Sequence, residues 1–340
     1  MLNGSLRQAR YALLVTLLSL SVILLGAYVR LSDAGLGCPD WPGCYGQLTA
    51  PDSEAEIASA NSAYPHRPVE SHKAWKEMAH RYLAGTLGLA ILLLAISTWR
   101  NRHLAQQPLL LAWLLLLVVL FQAALGMWTV ALLVKPAIVT AHLLGGFATL
   151  ALLWMVTLRL YAPHCDRHVI NQPAHLLWLS RIGLLILLLQ ITLGGWTSTN
   201  HAAIGCTEFP TCHSGLWWPE MAFREAFTLW HGIGINYEYG ILSAGARSAI
   251  HTVHRIGALL TVLYLLWLGR QLYRRGRTAV TQQLAIAILL LLMLQVVLGI
   301  SNVLANLPLA VAVAHNGVAA LLMLALLTAT WQLKRAYRTL

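Results

Sequence analysis

Residues 77–85, with the sequence EMAHRYLAG, bring a histidine, His80, into an apolar run of helical length. The pattern returns at three further histidines, each of which opens an apolar run that reaches a tryptophan: His142, His254 and His315. An ionisable side chain inside a membrane-spanning helix is costly and is usually functional. Four histidines at equivalent places therefore call for one common explanation.

The composition is that of a polytopic membrane protein. The 340 residues are 58% hydrophobic and only 10% charged, far more apolar than a soluble domain of this length requires. The net charge of +11 could suggest a nucleic-acid partner, but the basic residues are spread over short loops between apolar runs. The positive-inside rule explains this distribution better. We therefore expect a lipid bilayer and no nucleic acid around this chain.

Eight apolar runs are long enough to cross a bilayer as helices. They cover about residues 11–29, 75–99, 109–130, 138–160, 176–196, 249–268, 283–304 and 309–333. Residues 31–74 and 198–246 are predicted to be long outer loops, and the basic segments place both termini in the cytoplasm. The first run is long, lacks a small-residue cleavage motif and precedes seven more spans, so we interpret it as a helix and not as a signal peptide.

Matched spacings indicate an internal duplication. Two glutamine–histidine pairs are each 20 residues apart and two cysteine pairs are each six apart: Gln122–His142, Gln295–His315, Cys38–Cys44 and Cys206–Cys212. The sequence therefore predicts an all-α integral membrane protein made of two duplicated four-helix bundles. The boundaries of the two halves are predicted at 1–165 and 166–340.

This topology places all four histidines near the outer face, within about two turns of the start of their helices. His80 can face His142 across one bundle and His254 can face His315 across the other, which is the arrangement of two axial ligands of a low-spin haem. A single histidine of this kind could instead be a helix-to-helix hydrogen bond or a proton relay. Copper or zinc is a less favoured alternative, because the pairs lack carboxylate or thiolate partners at helical spacing inside the membrane.

The two halves differ three residues before the first histidine of each pair. Glu77 precedes His80, on the same face and one turn further out, whereas His251 stands at the matching position before His254. A carboxylate beside one haem can accept a proton or stabilise a developing cation, so Glu77 is a candidate catalytic residue. The alternative is a carboxylate that favours the positive end of the helix dipole.

Four of the five cysteines lie in the predicted outer loops, where oxidation is permitted. Their even number and matched spacing favour one disulfide in each loop, Cys38–Cys44 and Cys206–Cys212. The second disulfide is interpreted as a structural staple. For the first, which lies close to Glu77, a redox role is favoured.

Together these residues resemble the haem A synthase family over nearly the whole chain. The motifs that carry the resemblance are Glu77-Met-Ala-His80-Arg81, His142-Leu-Leu-Gly-Gly, His254-Arg255, His315-Asn316-Gly317 and Gly37-Cys38-Pro-Asp-Trp-Pro-Gly-Cys44. The resemblance implies an oxidoreductase that converts the C8 methyl group of haem O into the formyl group of haem A, by successive hydroxylations and loss of water, for cytochrome oxidase maturation.

The resemblance also implies a role for each half. His254 and His315 would hold a permanent haem b, while His80 and His142 would flank the substrate haem, with Glu77 as the catalytic carboxylate. Cys38 and Cys44 would match the redox-linked loop cysteines of bacterial members and are included in the predicted catalytic set. Arg81 and Arg255 are candidates for contacts with haem propionates, although each points about 100° away from its neighbouring ligand around the helix.

Two other functions fit the four histidines: a dihaem b membrane protein that only transfers electrons, and a haem carrier. Simple electron transfer gives no reason for a carboxylate at one site alone, which favours the synthase. The expected location is the bacterial inner membrane, with haem O as the substrate. Haem O synthase, oxidase assembly factors and a second copy of the chain are candidate partners.

Overall fold

A computed structural model of the protein describes residues 2–104, 107–162 and 172–337, and in these ranges it is helical, with only two isolated β-bridges. Eight of the helices are long and apolar enough to cross a membrane. They are α1 (Leu2–Leu31), α3 (Ser71–Arg100), α4 (Leu109–Ala131), α5 (Pro136–Tyr161), α6 (Ala174–Thr199), α8 (Ala244–Arg275), α9 (Ala279–Leu304) and α10 (Leu309–Tyr337). The predicted all-α, multi-pass membrane fold is confirmed.

Two short helices, α2 (Glu54–Ala63) and α7 (Phe223–Ala226), lie between the spans. They correct the predictions of a loop throughout 31–74 and throughout 198–246, respectively. Ser53 accepts a hydrogen bond from the main-chain N–H of Glu56, and the Glu56 side chain accepts one from the main-chain N–H of Ser53. This Ser-x-x-Glu capping box is a local sequence signal for a helix start.

Helices α3 and α8 begin about one turn earlier than their apolar runs. Ser71 and Ala244 are the first residues, where 75 and 249 were predicted. Ser243 caps α8 by accepting a hydrogen bond from the main-chain N–H of Ala246. Hydropathy identifies only the part of a helix that lies in lipid, while the main-chain hydrogen bonds continue into the polar residues outside it. His80 therefore lies nine residues, about two and a half turns, after the start of α3, and His254 lies ten residues, nearly three turns, after the start of α8, whereas the prediction is about two turns.

The spans contact one another in two groups of four. Helices α1, α3, α4 and α5 pack in a closed ring, in which each contacts the next, and α6, α8, α9 and α10 form a second ring. The rings meet where α1 contacts α10, where α5 contacts α6 and where α5 contacts α10. This arrangement supports the internal duplication, which stays a prediction. The predicted boundary at 165/166 lies outside the described residues.

Hydrogen bonds between small polar side chains link the spans inside the apolar layer. Thr16 of α1 bonds Thr157 of α5 at 3.1 Å, and the indole N–H of Trp154 donates to the hydroxyl of Thr328 at 2.8 Å, from one ring to the other. In a bilayer the helices gain little from burying apolar surface against each other, so packing and bonds of this kind, worth about 0.6 kcal/mol each, hold the bundle.

Candidate functional site

The structure brings together the four histidines in the predicted pairs. His80 on α3 and His142 on α5 lie close enough for their charges to interact, and the same holds for His254 on α8 and His315 on α10. Each pair therefore joins two helices of one ring. Among the described residues, no group of three or more His, Cys, Asp and Glu side chains is placed to hold a metal ion.

Each imidazole packs against a glycine of a neighbouring helix. A Cβ built on that glycine would lie 2.9, 3.6, 3.3 and 3.2 Å from the Cε1 atom of the facing histidine, in the pairs Gly26–His80, Gly126–His142, Gly194–His254 and Gly299–His315, respectively. Gly126 and Gly299 each lie four residues after the glutamine of a matched glutamine–histidine pair, whereas Gly26 and Gly194 lie outside those pairs. The glycines leave room for the rings where a larger residue would crowd them.

Glutamine side chains lie beside three of the histidines. The Gln122 amide N–H donates to the main-chain oxygen of His142 at 2.9 Å, and the Gln295 amide nitrogen lies 3.1 Å from Nε2 of His315. The Gln190 amide nitrogen lies 3.0 Å from both Nδ1 and the main-chain oxygen of His254.

These glutamines change the expected role of two other glycines. From the sequence, small residues one turn after the ligands, such as Gly145 after His142 and Gly257 after His254, are predicted to let a porphyrin approach the main chain. A Cβ at either position would instead overlap the side chain of a glutamine, Gln122 or Gln190. In this structure both glycines make room for an amide.

The residues present fit a haem. The Nδ1 atoms of His80, His142 and His315 are buried without a hydrogen-bond partner. A protein that retains such unpartnered nitrogens inside an apolar bundle loses stability unless they serve a ligand. Two facing imidazoles are the donor set of a six-coordinate haem iron. The donor chemistry and the unpartnered nitrogens therefore suit haem at both pairs.

Glu77 joins the first outer loop to α3. Its side chain is only 5% exposed, and both carboxylate oxygens are engaged. Oε2 accepts the main-chain N–H of Cys38 at 2.9 Å, and Oε1 pairs with Nη2 of Arg81 at 2.5 Å. Cys38 and Cys44 form a disulfide in this loop. The Glu77 carboxylate therefore links α3, the helix that carries His80, to the loop that contains the disulfide.

Arg81 also bonds to the first outer loop. Its Nη1 atom donates to the main-chain oxygens of Asp40 at 2.9 Å, of Pro42 at 3.3 Å and of Gly43. The guanidinium thus holds the loop that contains the disulfide. The propionate contact predicted for Arg81 stays a prediction.

The second outer loop is held in the same way, with an imidazole in place of the carboxylate. Nδ1 of His251 accepts the main-chain N–H of Cys206 at 3.0 Å, and Cys206 forms a disulfide with Cys212. Arg255 lies against His251 and donates to the main-chain oxygens of Glu208 at 2.7 Å and Thr211 at 2.8 Å. Like that of Arg81, its predicted propionate contact stays a prediction.

Contacts that the sequence did not indicate join the two halves at the end of the spans that carries the two long loops. Arg67 and Glu238 form a two-pronged ion pair with both N···O distances at 2.6 Å. Burial raises the pKa of Glu238, but the hydrogen bonds and charge of Arg67 outweigh it, and the pKa lies below its usual value. Arg30 at the end of α1 donates to the main-chain oxygen of Ser198 at 3.0 Å and to Nε2 of His201 at 2.8 Å.

His201 lies between charges from both halves. Burial lowers its pKa to about 4, and the neighbouring charge of Arg30 acts in the same direction. Because a guanidinium can only donate, Nε2 of His201 accepts this hydrogen bond and the ring is neutral near pH 7. No pattern along the chain marks His201, Arg67 or Glu238, since each depends on a partner more than 160 residues away.

Comparison with known proteins gives one consistent result. The family model COX15-CtaA, described as cytochrome oxidase assembly protein, matches residues 9–327. The chain is 45% identical to the heme A synthase of Shewanella oneidensis over 94% of its own length and 95% of that protein. It is 28% identical to the heme A synthases of a Chelativorans species and of Mesorhizobium japonicum, over 96% and 94% of its length and 90% and 88% of theirs.

Proposed function

Because the chain belongs to the COX15-CtaA family of cytochrome oxidase assembly proteins, we propose that it is a haem A synthase, an oxidoreductase that converts the C8 methyl group of haem O into the formyl group of haem A. The observation that carries this proposal is the proximity of two histidines in each helix ring, His80 to His142 and His254 to His315, in a chain 45% identical to a heme A synthase.

The two pairs have different tasks in this proposal. His254 and His315 hold a permanent haem b, and His80 and His142 flank the substrate haem. When bound, the haem iron supplies the redox chemistry of the reaction. The support for this division is a difference between the side chains that accept the main-chain N–H of the first loop cysteine in each half. Beside the first pair this side chain is the carboxylate of Glu77, and beside the second pair it is the imidazole of His251.

The residues around the first pair position the substrate and handle protons. The imidazoles hold the macrocycle from two helices, and the glycines behind them let the rings stand close to α1 and α4. Oxidation of a methyl group releases protons, and Glu77 is the proposed acceptor, one turn from His80. Arg81 holds the carboxylate in place, so that its oxygens keep a fixed position relative to His80.

Cys38 and Cys44 are proposed to take part in the redox chemistry of the first half. The hydrogen bond from the Cys38 N–H to Glu77 connects the disulfide loop with the proposed proton acceptor. A change in the redox state of the cysteines would therefore alter the hydrogen bonding of the Glu77 carboxylate. The Cys206–Cys212 disulfide, which meets an imidazole, is proposed as a staple.

We place the protein in the bacterial inner membrane with both termini in the cytoplasm. The last turns of four spans carry basic residues that would lie on the inner side, at Arg100, Arg159, Arg274 with Arg275, and Lys334 with Arg335. Both disulfides then lie on the oxidising side. The two halves, 1–165 and 166–340, act as the substrate unit and the haem b unit. Haem O synthase, oxidase assembly factors and a second copy of the chain are the proposed partners.

The test is extraction and mass analysis of the haems bound to the purified protein after co-expression with haem O synthase. The parent is expected to carry haem b together with haem A, and Glu77→Ala to accumulate haem O or a hydroxylated intermediate. Two equivalents of haem b in both proteins would favour electron transfer instead. Reversible haem binding without any formyl product would favour a carrier.

A further inference from the structure

The two long loops differ in how much apolar surface they expose. In residues 198–246, twelve large apolar side chains are exposed, whereas residues 32–70, all of which the structure describes, expose only Trp41 and Leu48. Six of the twelve lie in residues 217–230, called here the α7 segment: Trp217, Trp218, Phe223, Phe227, Leu229 and Trp230. Apolar surface that is concentrated in this way marks a contact with another protein or with a membrane.

Helix α7 lies beside the ends of two spans. Its Ala226 belongs to one buried apolar cluster with Trp196 of α6 and Ala249 of α8, and the indole N–H of Trp196 donates to the main-chain oxygen of Ala226 at 2.9 Å. Trp196 is three residues before the end of α6, and Ala249 is five residues after the start of α8. At 1.5 Å per residue, α7 is therefore level with points about 4–8 Å inside the ends of these helices.

This depth coincides with the boundary between the lipid headgroups and the hydrocarbon. Helix α6 has 26 residues and is about 39 Å long, whereas the hydrocarbon core of a bilayer is about 30 Å thick. An untilted and centred α6 therefore extends roughly 5 Å into the headgroup layer at each end. Exposed side chains of the α7 segment are thus at the depth where lipid begins.

The α7 segment has an apolar face turned away from the spans. Phe223 and Phe227 are four residues apart, so they lie on one face of the helical turn, and both are exposed. Ala222 and Ala226, also four residues apart, pack in the cluster at the ends of α6 and α8. The ring of Trp218 lies 6.1 Å from that of Phe223, which extends the aromatic surface beyond the helix.

The charged residues of the α7 segment are compatible with a lipid contact. They are Glu220, Arg224 and Glu225. Glu225 is turned toward the protein, where its carboxylate accepts the main-chain N–H and the hydroxyl of Ser243 at 2.7 and 2.6 Å. Arginine can reach lipid phosphates with its guanidinium while its stem stays among apolar groups. Glu220 is therefore the single exposed carboxylate in residues 217–230.

We propose that the α7 segment is an interfacial anchor whose partner is lipid. It enters the leaflet on the side of the two long loops through six side chains: Trp217, Trp218, Phe223, Phe227, Leu229 and Trp230. Tryptophan is typical of this layer, because its ring is largely apolar and also carries a hydrogen-bond donor. The loop is joined to α6 and α8 at its two ends, so the apolar surface continues that of the lipid-facing spans. The anchor holds the Cys206–Cys212 loop at a fixed depth.

The experiment measures the depth of spin labels in the full-length protein, reconstituted into vesicles of phosphatidylcholine and phosphatidylglycerol. A nitroxide is attached to Trp217→Cys, Phe223→Cys or Leu229→Cys in a Cys165→Ser background, because the other four native cysteines form the two disulfides. Leu48→Cys is the matched control, since Leu48 is 83% exposed in the loop that has little apolar surface. Power-saturation electron paramagnetic resonance compares oxygen, which concentrates in lipid, with a water-soluble nickel complex.

Oxygen should relax the labels in the α7 segment more strongly than the nickel complex does, and the order should be reversed for Leu48→Cys. Labels in the segment that respond mainly to nickel would overturn the proposal, because the segment would then lie in water. Labels shielded from both reagents would overturn it as well and would indicate a second copy of the chain as the occupant.

Tryptophan fluorescence in vesicles that contain brominated lipids decides the matter if a cysteine variant does not fold. Trp217→Phe with Trp218→Phe should remove more of the lipid-quenched signal per tryptophan than Trp41→Phe does, because Trp41 belongs to the loop with little apolar surface. Equal losses per tryptophan would contradict the anchor. Neither measurement involves haem, so the result is independent of the proposed function.

Discussion

Glu77 and His251 do the same structural task in the two halves of the molecule. Each side chain accepts the main-chain N–H of the first cysteine of its outer loop, Cys38 at 2.9 Å and Cys206 at 3.0 Å, and each lies against an arginine one turn further along its helix. An acceptor at this place is thus needed in both halves, but a carboxylate is present in only one.

This relationship allows the anchor and the proposed proton acceptor to be separated. Glu77→His should keep the first outer loop in place, because His251 holds the second loop through an imidazole. It should lower haem A formation by about 100-fold or more, the usual contribution of a positioned acid or base. The measurements are product analysis and haem content. His251→Glu is the reciprocal control and should retain activity. Full activity in Glu77→His would reduce Glu77 to a loop anchor.

The two disulfides are expected to be alike in stability and unlike in activity. Each closes a loop with a sequence separation of six residues, for which chain entropy predicts a contribution of about 2 kcal/mol. Cys38→Ser with Cys44→Ser, and Cys206→Ser with Cys212→Ser, should therefore lower the melting temperature in detergent by similar amounts. Only the first pair should lower haem A formation beyond the loss of folded protein. Equal activity losses would contradict a redox role for Cys38 and Cys44.

The glycines behind the histidines should differ in their tolerance of alanine. A Cβ at Gly26 would lie 2.9 Å from Cε1 of His80, so the ring must move, whereas a Cβ at Gly126 would lie at an ordinary contact distance of 3.6 Å from His142. We expect Gly26→Ala to reduce the low-spin haem of the first pair and Gly126→Ala to leave it nearly unchanged. Absorption spectra and haem-to-protein ratios test this. Equal haem loss in both variants would contradict the assigned packing.

The ion pair between Arg67 and Glu238 should stabilise the contact between the halves. Glu238 is only 4% exposed, so Glu238→Ala leaves the Arg67 charge without its partner. Because Arg67 is partly exposed, we expect a loss of roughly 1–3 kcal/mol, below the 3–5 kcal/mol of a fully buried pair. Thermal unfolding of both single variants and the double variant measures the coupling. Additive effects would show that the pair contributes nothing.

Acid should weaken the same outer contact through His201. The folded pKa of about 4 lies below the ordinary value of 6.5, mainly because burial disfavours the charged ring and also because Arg30 repels it. Between these values the unfolded chain binds more protons, so this contribution is complete above pH 6.5 and is lost as the pH falls toward 4. Thermal unfolding from pH 7 to 4 should show a smaller decline in His201→Gln than in the parent. Identical declines would assign the acid sensitivity elsewhere.

Local sequence determined the membrane architecture, because each span is a continuous apolar run whose hydrogen bonds are satisfied within the helix. It also identified the four histidines and Glu77, because ionisable residues are costly in apolar runs. The cysteine pairs were recognisable from their matched spacing in the two long loops. Even the missed helix α2 had a local signal, the capping box of Ser53 and Glu56.

The tertiary structure alone decided what surrounds these residues. The rotation and packing of the helices decide which glycine lies against each imidazole. They also decide that Gln190 contacts His254 and that Arg81 holds the disulfide loop. The Arg67–Glu238 pair joins residues 171 positions apart. Such contacts have no period along the chain, because they arise from the meeting of two helix rings, and only their assembly brings the partners together.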